Sequence, residues 1–545
     1  LNATPQSAEG PNAFGAQTVT SKSTSLQTDV AAKWTSKFNN NKTEIEATLG
    51  WHREESESIA SDPAFADVSL QVLRGGSLAT WADLGNENDK VRAGCKDGDR
   101  RSGDPYPLLQ TNCEITTQSG YFIGGPGGLG RDLDERRTGK LSLIQRVKAL
   151  GTHEFKAGGD IEINNLTSSR LISGGASIEN VVSLQQVTVN RFVQLADAAN
   201  TDPRFDGTCY LPNPDFTGGP GQMATLPKKC DYLSGVPGSP GTQVSSETFN
   251  WAAYLRDSWQ IKPNLTVNAG LRYEEQRLRY AKNLQYSKDP ITGEQLGKNA
   301  MTLTGMFAPR IGVVYDWTKE GKSKVYGNWG RFYQSIPLQI NKRSFGGEVS
   351  LQQLFTYADC PGAVDPKIGG KNGENCITDP NTRMAQVENF IGASGVLIAP
   401  NVKSQYLDET VIGAEYEVAD DLKLGISYAY RTLGRVLEDV STDGANTYII
   451  ANPSEIADAD LNKLQGRIDA TDDPIEKKRL QNQYDLFKGI KVFDTPRRDY
   501  HAITLTAVRR FSKRFYVQAN YTFSQNKGNY PGLISYTNGQ LDPNI

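Results

Sequence analysis

The chain has 545 residues, a formal net charge of -3, 22% charged and 9% aromatic residues, and a mean hydropathy of -0.51. No uninterrupted apolar run approaches the roughly 18 residues that a membrane-spanning helix needs, so a helical membrane protein is excluded. The near-neutral charge balance argues equally against a nucleic-acid binder, which would carry a basic excess somewhere.

The segment after Leu1 has neither a charged n-region nor an apolar h-region, and Gly539 to Ile545 completes no strand. The chain therefore reads as an interior piece of something longer, with any signal peptide missing or removed. The first clear element is a hairpin of period two, the period of a strand with two unlike faces. Val30, Ala32, Trp34 and Phe38 share one face, and after the turn Asn39-Asn40-Asn41-Lys42, Ile45, Ala47, Leu49 and Trp51 alternate with Glu44, Glu46, Thr48 and His52. The unit recurs at 138–149 with 153–164, turning at Leu150-Gly151-Thr152. A third hairpin turns at Lys262-Pro263-Asn264, with Trp251, Leu255 and Trp259 before it and Leu265, Val267, Leu271 and Tyr273 after. A fourth carries Ile311, Val313, Tyr315 and Trp317, turns near Glu320-Gly321 and continues through Val325 and Trp329. A fifth turns at Ala419-Asp420-Asp421 and runs on to Tyr430; a sixth turns at Ser512-Lys513, between Phe511 and Phe515, and runs through Tyr521. This makes twelve strands in six hairpins.

Between hairpins the connections are long, roughly 54–137, 166–247, 276–304, 334–405 and 436–499. Short turns at one end and long Gly/Pro/Asp-rich excursions at the other describe an all-β fold: a transmembrane antiparallel β-barrel with long extracellular loops. Strands of about ten residues match the apolar band of such barrels. Six of the seven tryptophans, Trp34, Trp51, Trp251, Trp259, Trp317 and Trp329, have the apolar parity of their strands; only Trp81 falls in a loop. Trp51, Trp251, Trp259, Trp317 and Trp329, with Tyr430, Phe511, Phe515 and Tyr521, are read as rings at the two lipid interfaces. Asp257 is the exception, a carboxylate on lipid parity, expected near a short-turn interface, paired with a neighbour or at a bulge. The opposite parity gives Asn268, Arg272, Glu274, Arg310, Asn328, Gln518 and Asn520 as residues facing the lumen.

Six cysteines fall as neighbours in the loops, Cys95 with Cys113, Cys209 with Cys230 and Cys360 with Cys376. Three local disulfides in an oxidising compartment are the most economical pairing. Zinc is the competing reading, but no C-x-x-C occurs. Gly125 to Gly130 satisfies G-x-G-x-x-G yet leads into a strand, so it reads as a loop and not a dinucleotide site. Asp97, Asp99 and Asp104 hint at a calcium loop, although Arg101 occupies a ligand position; no other cofactor is expected. His52, His153 and His501 lie near strand ends, and no G-x-S-x-G or H-E-x-x-H appears, so no enzyme chemistry is expected. Asp473-Pro474-Ile475-Glu476 has the signature of a helix start, and with Leu461, Leu464 and Ile468 upstream it suggests a helical hairpin over 456–488, either a cap over its own loop or a partner-binding knob.

Several runs resemble strands of TonB-dependent outer-membrane receptors: Tyr254 to Glu274, Phe307 to Tyr315 and Gly327 to Tyr333. Tyr430 to Asp439, Gly528 to Leu533 and Gly539 to Ile545 are more narrowly similar to the Oar-like branch, whose members carry a carboxypeptidase-regulatory-like N-terminal domain. The resemblance implies a barrel of about 22 strands, of which this chain supplies about twelve, together with an N-terminal plug and a TonB box, neither visible here. The implied partners are outer-membrane lipid, the TonB complex through that plug, other outer-membrane proteins and a large ligand such as a peptide or protein. Rival expectations are a surface structural, adhesion or protein-export barrel used as an anchor, and a soluble β-propeller or sandwich adhesin.

Overall fold

The computed structural model describes residues 4–6, 20–77, 114–181, 184, 186–194, 210–212, 225–227, 242–282, 284–286, 295–346, 348–356, 387–391, 397–443, 449–512 and 514–530. Its frame is one antiparallel sheet in simple chain order. Twelve long strands form it: β1 (Ser21–Phe38), β2 (Thr43–Ala60), β3 (Gly128–Lys148), β4 (Thr152–Ile172), β5 (Thr242–Lys262), β6 (Leu265–Arg279), β7 (Asn299–Tyr315), β8 (Ser323–Tyr333), β9 (Tyr406–Ala419), β10 (Leu422–Arg435), β11 (Arg498–Ser512) and β12 (Phe515–Gly528). The short strand Thr4–Gln6 lies beside β1 as a thirteenth member. No helix among the described residues is long and apolar enough to cross a membrane.

The first and fifth tight turns use residues that tolerate left-handed backbone. Asn39, Asn40 and Asn41 have φ of 53°, 54° and 64°, and Asp421 has 66°; their short polar side chains make that region cheaper than for other residues. At the second turn Leu150 (φ 50°) is followed by Gly151 (φ 121°), where a Cβ would come within 2.4 Å of the Gln260 carbonyl. The fourth turn is built by one carboxylate. Asp316 accepts hydrogen bonds from Thr318 N (3.1 Å), Thr318 Oγ1 (2.6 Å), Gly321 N (2.7 Å) and Ser323 Oγ, and these donors hold its carboxyl well below the usual carboxylate range.

The strands run 11 to 21 residues, not about ten. The extra length lies at the long-loop end, where alternation disappears because both faces are polar. Arg53 to Glu57, for example, stays paired with Arg131 to Glu135 although no apolar parity marks it. Within the band parity holds: Leu49, Leu255, Ile412, Ile426 and Leu505 project from one face and are 66%, 57%, 51%, 52% and 49% exposed. Large apolar side chains left this open on every second position need an apolar solvent around them.

Strands inside the long connections, which the sequence reading treated as irregular, form a second, six-stranded sheet. It draws Leu70–Ser77 and Glu114–Gly124 from one connection, Ser177–Val181 and Gln186–Gln194 from another, and Glu348–Thr356 and Val387–Ile391 from a third. The last long connection carries helices α2 (Asp458–Ala470) and α3 (Pro474–Gly489), with Glu476 N donating to Asp473 Oδ1 (3.4 Å) at the start of α3. Leu461, Leu464 and Ile468 of α2 are buried with Leu480 and Phe487 of α3 against Ile449 of the same connection.

Placing a charge at mid-strand on the outer face should be costly. Ile412→Arg should destabilise the folded barrel by about 2–4 kcal/mol, whereas Asn328→Arg on the inner face should cost well under half of that, read by urea unfolding in lipid vesicles. At the fourth turn, Asp316→Asn should lower the unfolding midpoint at neutral pH. Because the folded carboxyl titrates below its unfolded value, the benefit of the native Asp is complete above pH ~4 and shrinks as pH falls further. A difference from the variant that grows on acidification would contradict the clamp.

Candidate functional site

Alternation sends every second residue of the wall inward, and there the side chains are charged and joined across strands. Arg272 grips Asp160 through two bonds, Nη1 to Oδ2 at 2.8 Å and Nη2 to Oδ1 at 3.0 Å, and also pairs with Glu274. Arg136 pairs with Glu162, whose Oε1 also accepts from Asn164 (2.9 Å) and Asn250 (3.1 Å). Glu46 accepts from Lys156 Nζ at 2.7 Å and Ser142 Oγ at 3.2 Å. Such ladders let polar groups line the inside of a membrane-embedded wall without being left unpaired.

Between β5 and β8 this wall holds a recess of about 630 Å³. The predicted lumen residues Asn268, Arg272, Arg310 and Asn328 come together around it. Glu274 is bonded to Arg272, whereas Gln518 and Asn520 are on β12 at the edge of the sheet, away from the recess. The sequence reading missed Tyr254, Arg256, Lys324, Tyr326 and Phe332, which complete the lining. Their signal exists only in the register, where inner-face rings lie over glycines on the next strand. Tyr254 lies opposite Gly158 and Tyr326 opposite Gly413, and a Cβ at Gly413 would approach the Tyr326 ring to 2.6 Å. The glycines leave room for rings to lie flat against the backbone.

The long-loop mouth is narrowed from within. Helix α1 (Leu338–Phe345) belongs to the connection after β8 and folds against the inner wall. Phe345 is buried with Leu278, Met301, Leu303 and Met306 of β6 and β7. Gln276 fixes the approach to the helix, donating to the Ile336 carbonyl (2.9 Å) and accepting from Ile336 N (2.8 Å). Lys342, 5% exposed, reaches Asp132 on β3 at 3.4 Å, which ties α1 to the wall.

The aromatic residues lie on the opposite face. Trp251, Tyr273 and Phe307 form a ladder across β5, β6 and β7 with centroids 5.5 and 4.9 Å apart. Trp317 stacks on Tyr416 (5.7 Å), and Tyr430 on His501 (4.8 Å). Trp51 lies opposite Val30 and Arg137, Trp329 opposite Ile311, and Phe511, Phe515 and Tyr521 are 75%, 44% and 67% exposed on the last hairpin. Trp259 stacks on His153 (5.1 Å) and donates its indole N–H to the Leu150 carbonyl (3.0 Å). Asp257 is held by His153, Nδ1 to Oδ2 2.8 Å, at the short-turn end. His52 meets Asp29 at 2.7 Å on the inner face. His501 Nδ1 meets the Tyr428 hydroxyl at 2.7 Å.

Cys95, Cys113, Cys209, Cys230, Cys360 and Cys376 lie outside the described residues, as do Trp81 and the acidic run Asp97, Asp99 and Asp104. Among the described residues no group of three or more His, Cys, Asp or Glu could hold a metal ion.

With this geometry in hand, residues 2–544 match the family model described as an outer membrane beta barrel domain. Over 558 aligned residues the chain is 27% identical to the TonB-dependent transporter Oar of Myxococcus xanthus, covering 98% of this chain and 44% of that protein. The chain thus spans less than half the length of this relative. Solved structures it resembles include the outer membrane transporter YddB of Escherichia coli, at 11% identity and TM-score 0.45 over 98% of this chain and 46% of that one. The pyoverdine outer membrane receptor FpvA of Pseudomonas aeruginosa is also similar, at 11% identity and TM-score 0.42 over 93% and 45%.

Truncating the buried ring in the mouth should free α1. Phe345→Ala removes a fully packed aromatic, a change worth about 3–5 kcal/mol in a core, so amide exchange across 338–345 should accelerate at least tenfold while β9 and β10 keep their protection. Equal protection of α1 in the variant would show that Phe345 does not hold the helix.

Proposed function

Because the chain belongs to the family of outer membrane β-barrel domains and lies in the bacterial outer membrane, we propose that it forms the wall of a TonB-dependent receptor that moves a large ligand, a peptide or protein, across that membrane. The supporting observation is the opposed chemistry of one sheet. Its outer face presents uncovered aliphatic and aromatic side chains, and its inner face presents paired charges and a recess bordered by Asn268, Arg272, Arg310 and Asn328. Oil outside and hydrogen-bonding groups inside permit a wet path through a dry layer.

In this reading the second sheet and the α2–α3 pair form the ligand-facing canopy on the cell exterior. Inward-folded α1 narrows the entrance, and energy reaches the lumen through a plug and TonB box that engage the TonB complex. Calcium bound by Asp97, Asp99 and Asp104 would serve the canopy and not the path. A rival role as a surface anchor for structural, adhesive or protein-export purposes draws support from the same canopy, whose loops are woven together and not left loose.

The two readings part on energy. Deleting the gene and depleting TonB should each leave the same peptide or protein fraction in the culture medium, as measured by mass spectrometry of spent medium. A deletion phenotype confined to adhesion or surface layers, unaffected by TonB depletion, would favour the anchor.

A further inference from the structure

The short-turn end of the outer face carries charge in two different settings. Asp257 on β5 is held by His153, Nδ1 to Oδ2 2.8 Å. Arg509 on β11 stands on the same parity, continuing the row of Ile503, Leu505 and Ala507, and among the described residues no carboxylate pairs with it. In register with it are Leu422 and Val517, and one rung deeper Leu424 and Ala519 flank Ala507. Its Nε is buried and finds no acceptor, and its guanidinium lies 4.2 Å from the centroid of the Phe515 ring. The cation is thus set among apolar side chains on a face that meets hydrocarbon.

Register fixes its depth. Tyr416 of the interfacial row lies opposite Leu424, and Leu424 opposite Ala507, so Arg509 is two residues nearer the turns than that row, where lipid headgroups begin. The sequence there is Arg509-Arg510-Phe511-Ser512-Lys513-Arg514-Phe515, four cations and two phenylalanines without one acid. Phe511 and Phe515 are 75% and 44% exposed. Asp421 of the neighbouring turn meets this segment through its carbonyl, which accepts from Arg510 N at 2.8 Å. An uncompensated guanidinium at headgroup depth calls for an anion from the bilayer itself.

We propose that this turn is a binding site for a phospholipid of the periplasmic leaflet with a net-negative headgroup, its phosphate on Arg509 and an acyl chain along Phe515, Val517 and Leu424. A planar guanidinium offers paired donors to a phosphate, which a lysine ammonium does not, and the ring beneath it fixes its plane. Arg510 and Arg514 add charge at the turn, each basic side chain near an anionic surface contributing about 1 kcal/mol. Free phosphate is a poorer occupant, because it covers none of the apolar surface beside Arg509. A periplasmic protein approaching from the aqueous side meets the turn tip and not the lipid face on which Arg509 stands. The site does not depend on what the wall transports.

The test takes the complete protein, purified in detergent, stripped of lipid and titrated with phosphatidylglycerol or phosphatidylethanolamine, with bound lipid counted by native mass spectrometry. The parent should retain phosphatidylglycerol over phosphatidylethanolamine. Arg509→Gln should weaken that retention about fivefold, the equivalent of one basic side chain at an anionic surface. Arg509→Lys, which keeps the charge without the paired donors, should fall between the two. Lys319→Gln, which removes a cation from the fourth turn, should behave as the parent does. A phosphatidylglycerol with a photoreactive acyl chain should label residues 515–517. Heat-modifiable migration checks that each barrel folds, and labelling of the parent decides the matter if the variants do not. Equal retention by the parent and Arg509→Gln, equal retention of both lipids, or label confined to other hairpins would overturn the proposal. So would displacement of the lipid by inorganic phosphate alone, which would make the site one for a free anion. Equal lipid retention, together with a periplasmic protein lost from Arg509→Gln, would reassign the turn to a protein partner.

Discussion

Hydrocarbon offers a peptide group no hydrogen bond, and the rest of this structure follows from that. A chain crossing it without long apolar helices must pair every backbone N–H and C=O with a neighbouring strand, and the twelve long strands do so in strict chain order. Sequential antiparallel pairing needs only tight turns at one end, which explains the Asn, Asp and Gly residues held at positive φ there. The same constraint bears on the sheet's margins. β12 is paired with β11 on one side, and its other edge requires a partner strand wherever it meets lipid.

Charge on the outer face is governed by depth. Away from the band it is common and tied to rings. Glu275 accepts from the Trp251 indole at 2.9 Å, from the Tyr273 hydroxyl at 2.7 Å and from Arg277 at 3.1 Å. Arg331 pairs with Asp408 while lying 3.9 Å from the centroid of Tyr406. At the short-turn end Asp257 survives on lipid parity because His153 bonds it and Trp259 covers His153. In each case an aromatic ring faces the oil and its polar edge, or the charge beside it, meets the headgroups. On the inner face, cations such as Arg272, Arg136 and Lys156 meet carboxylates directly across one or two strands.

Hairpins, turns and parity were legible in the sequence because a two-faced strand in lipid writes its period into every second residue, as in Ile45 to Trp51. The true strand ends were not, since beyond the lipid both faces are wet and Arg53 to Glu57 carries no alternation. Nor was the second sheet read. Gln186–Gln194 does alternate, with Val187 and Val189 buried at 1% and 0%, but its partners Glu348–Thr356 and Ser177–Val181 are fixed by folding that no local period records. Lumen residues were assigned by parity, and four of them share the recess. The recess itself depends on which glycine faces which ring across strands, as Gly413 faces Tyr326, and register is a long-range property.

Canopy and wall are mechanically continuous through two adjacent side chains. Ile449 packs in the cluster that holds α2 and α3 together, whereas Ile450 packs with Phe345 of α1 and Leu278 of β6. Side chains of neighbouring strand residues point to opposite faces, so the segment Ile449–Ala451 is a septum with the helical pair on one side and the lumen mouth on the other. Closely packed interiors do not deform smoothly but shift between discrete packings. A displacement of α2 and α3 must therefore either break the Ile449 contacts or carry Ile450 with it and disturb the seat of Phe345. Through the Gln276 bonds at Ile336 and the Lys342–Asp132 tie, that disturbance reaches β6 and β3 at the mouth of the lumen. The fold thus supplies a contiguous physical route between the helical pair and the inner face of the wall.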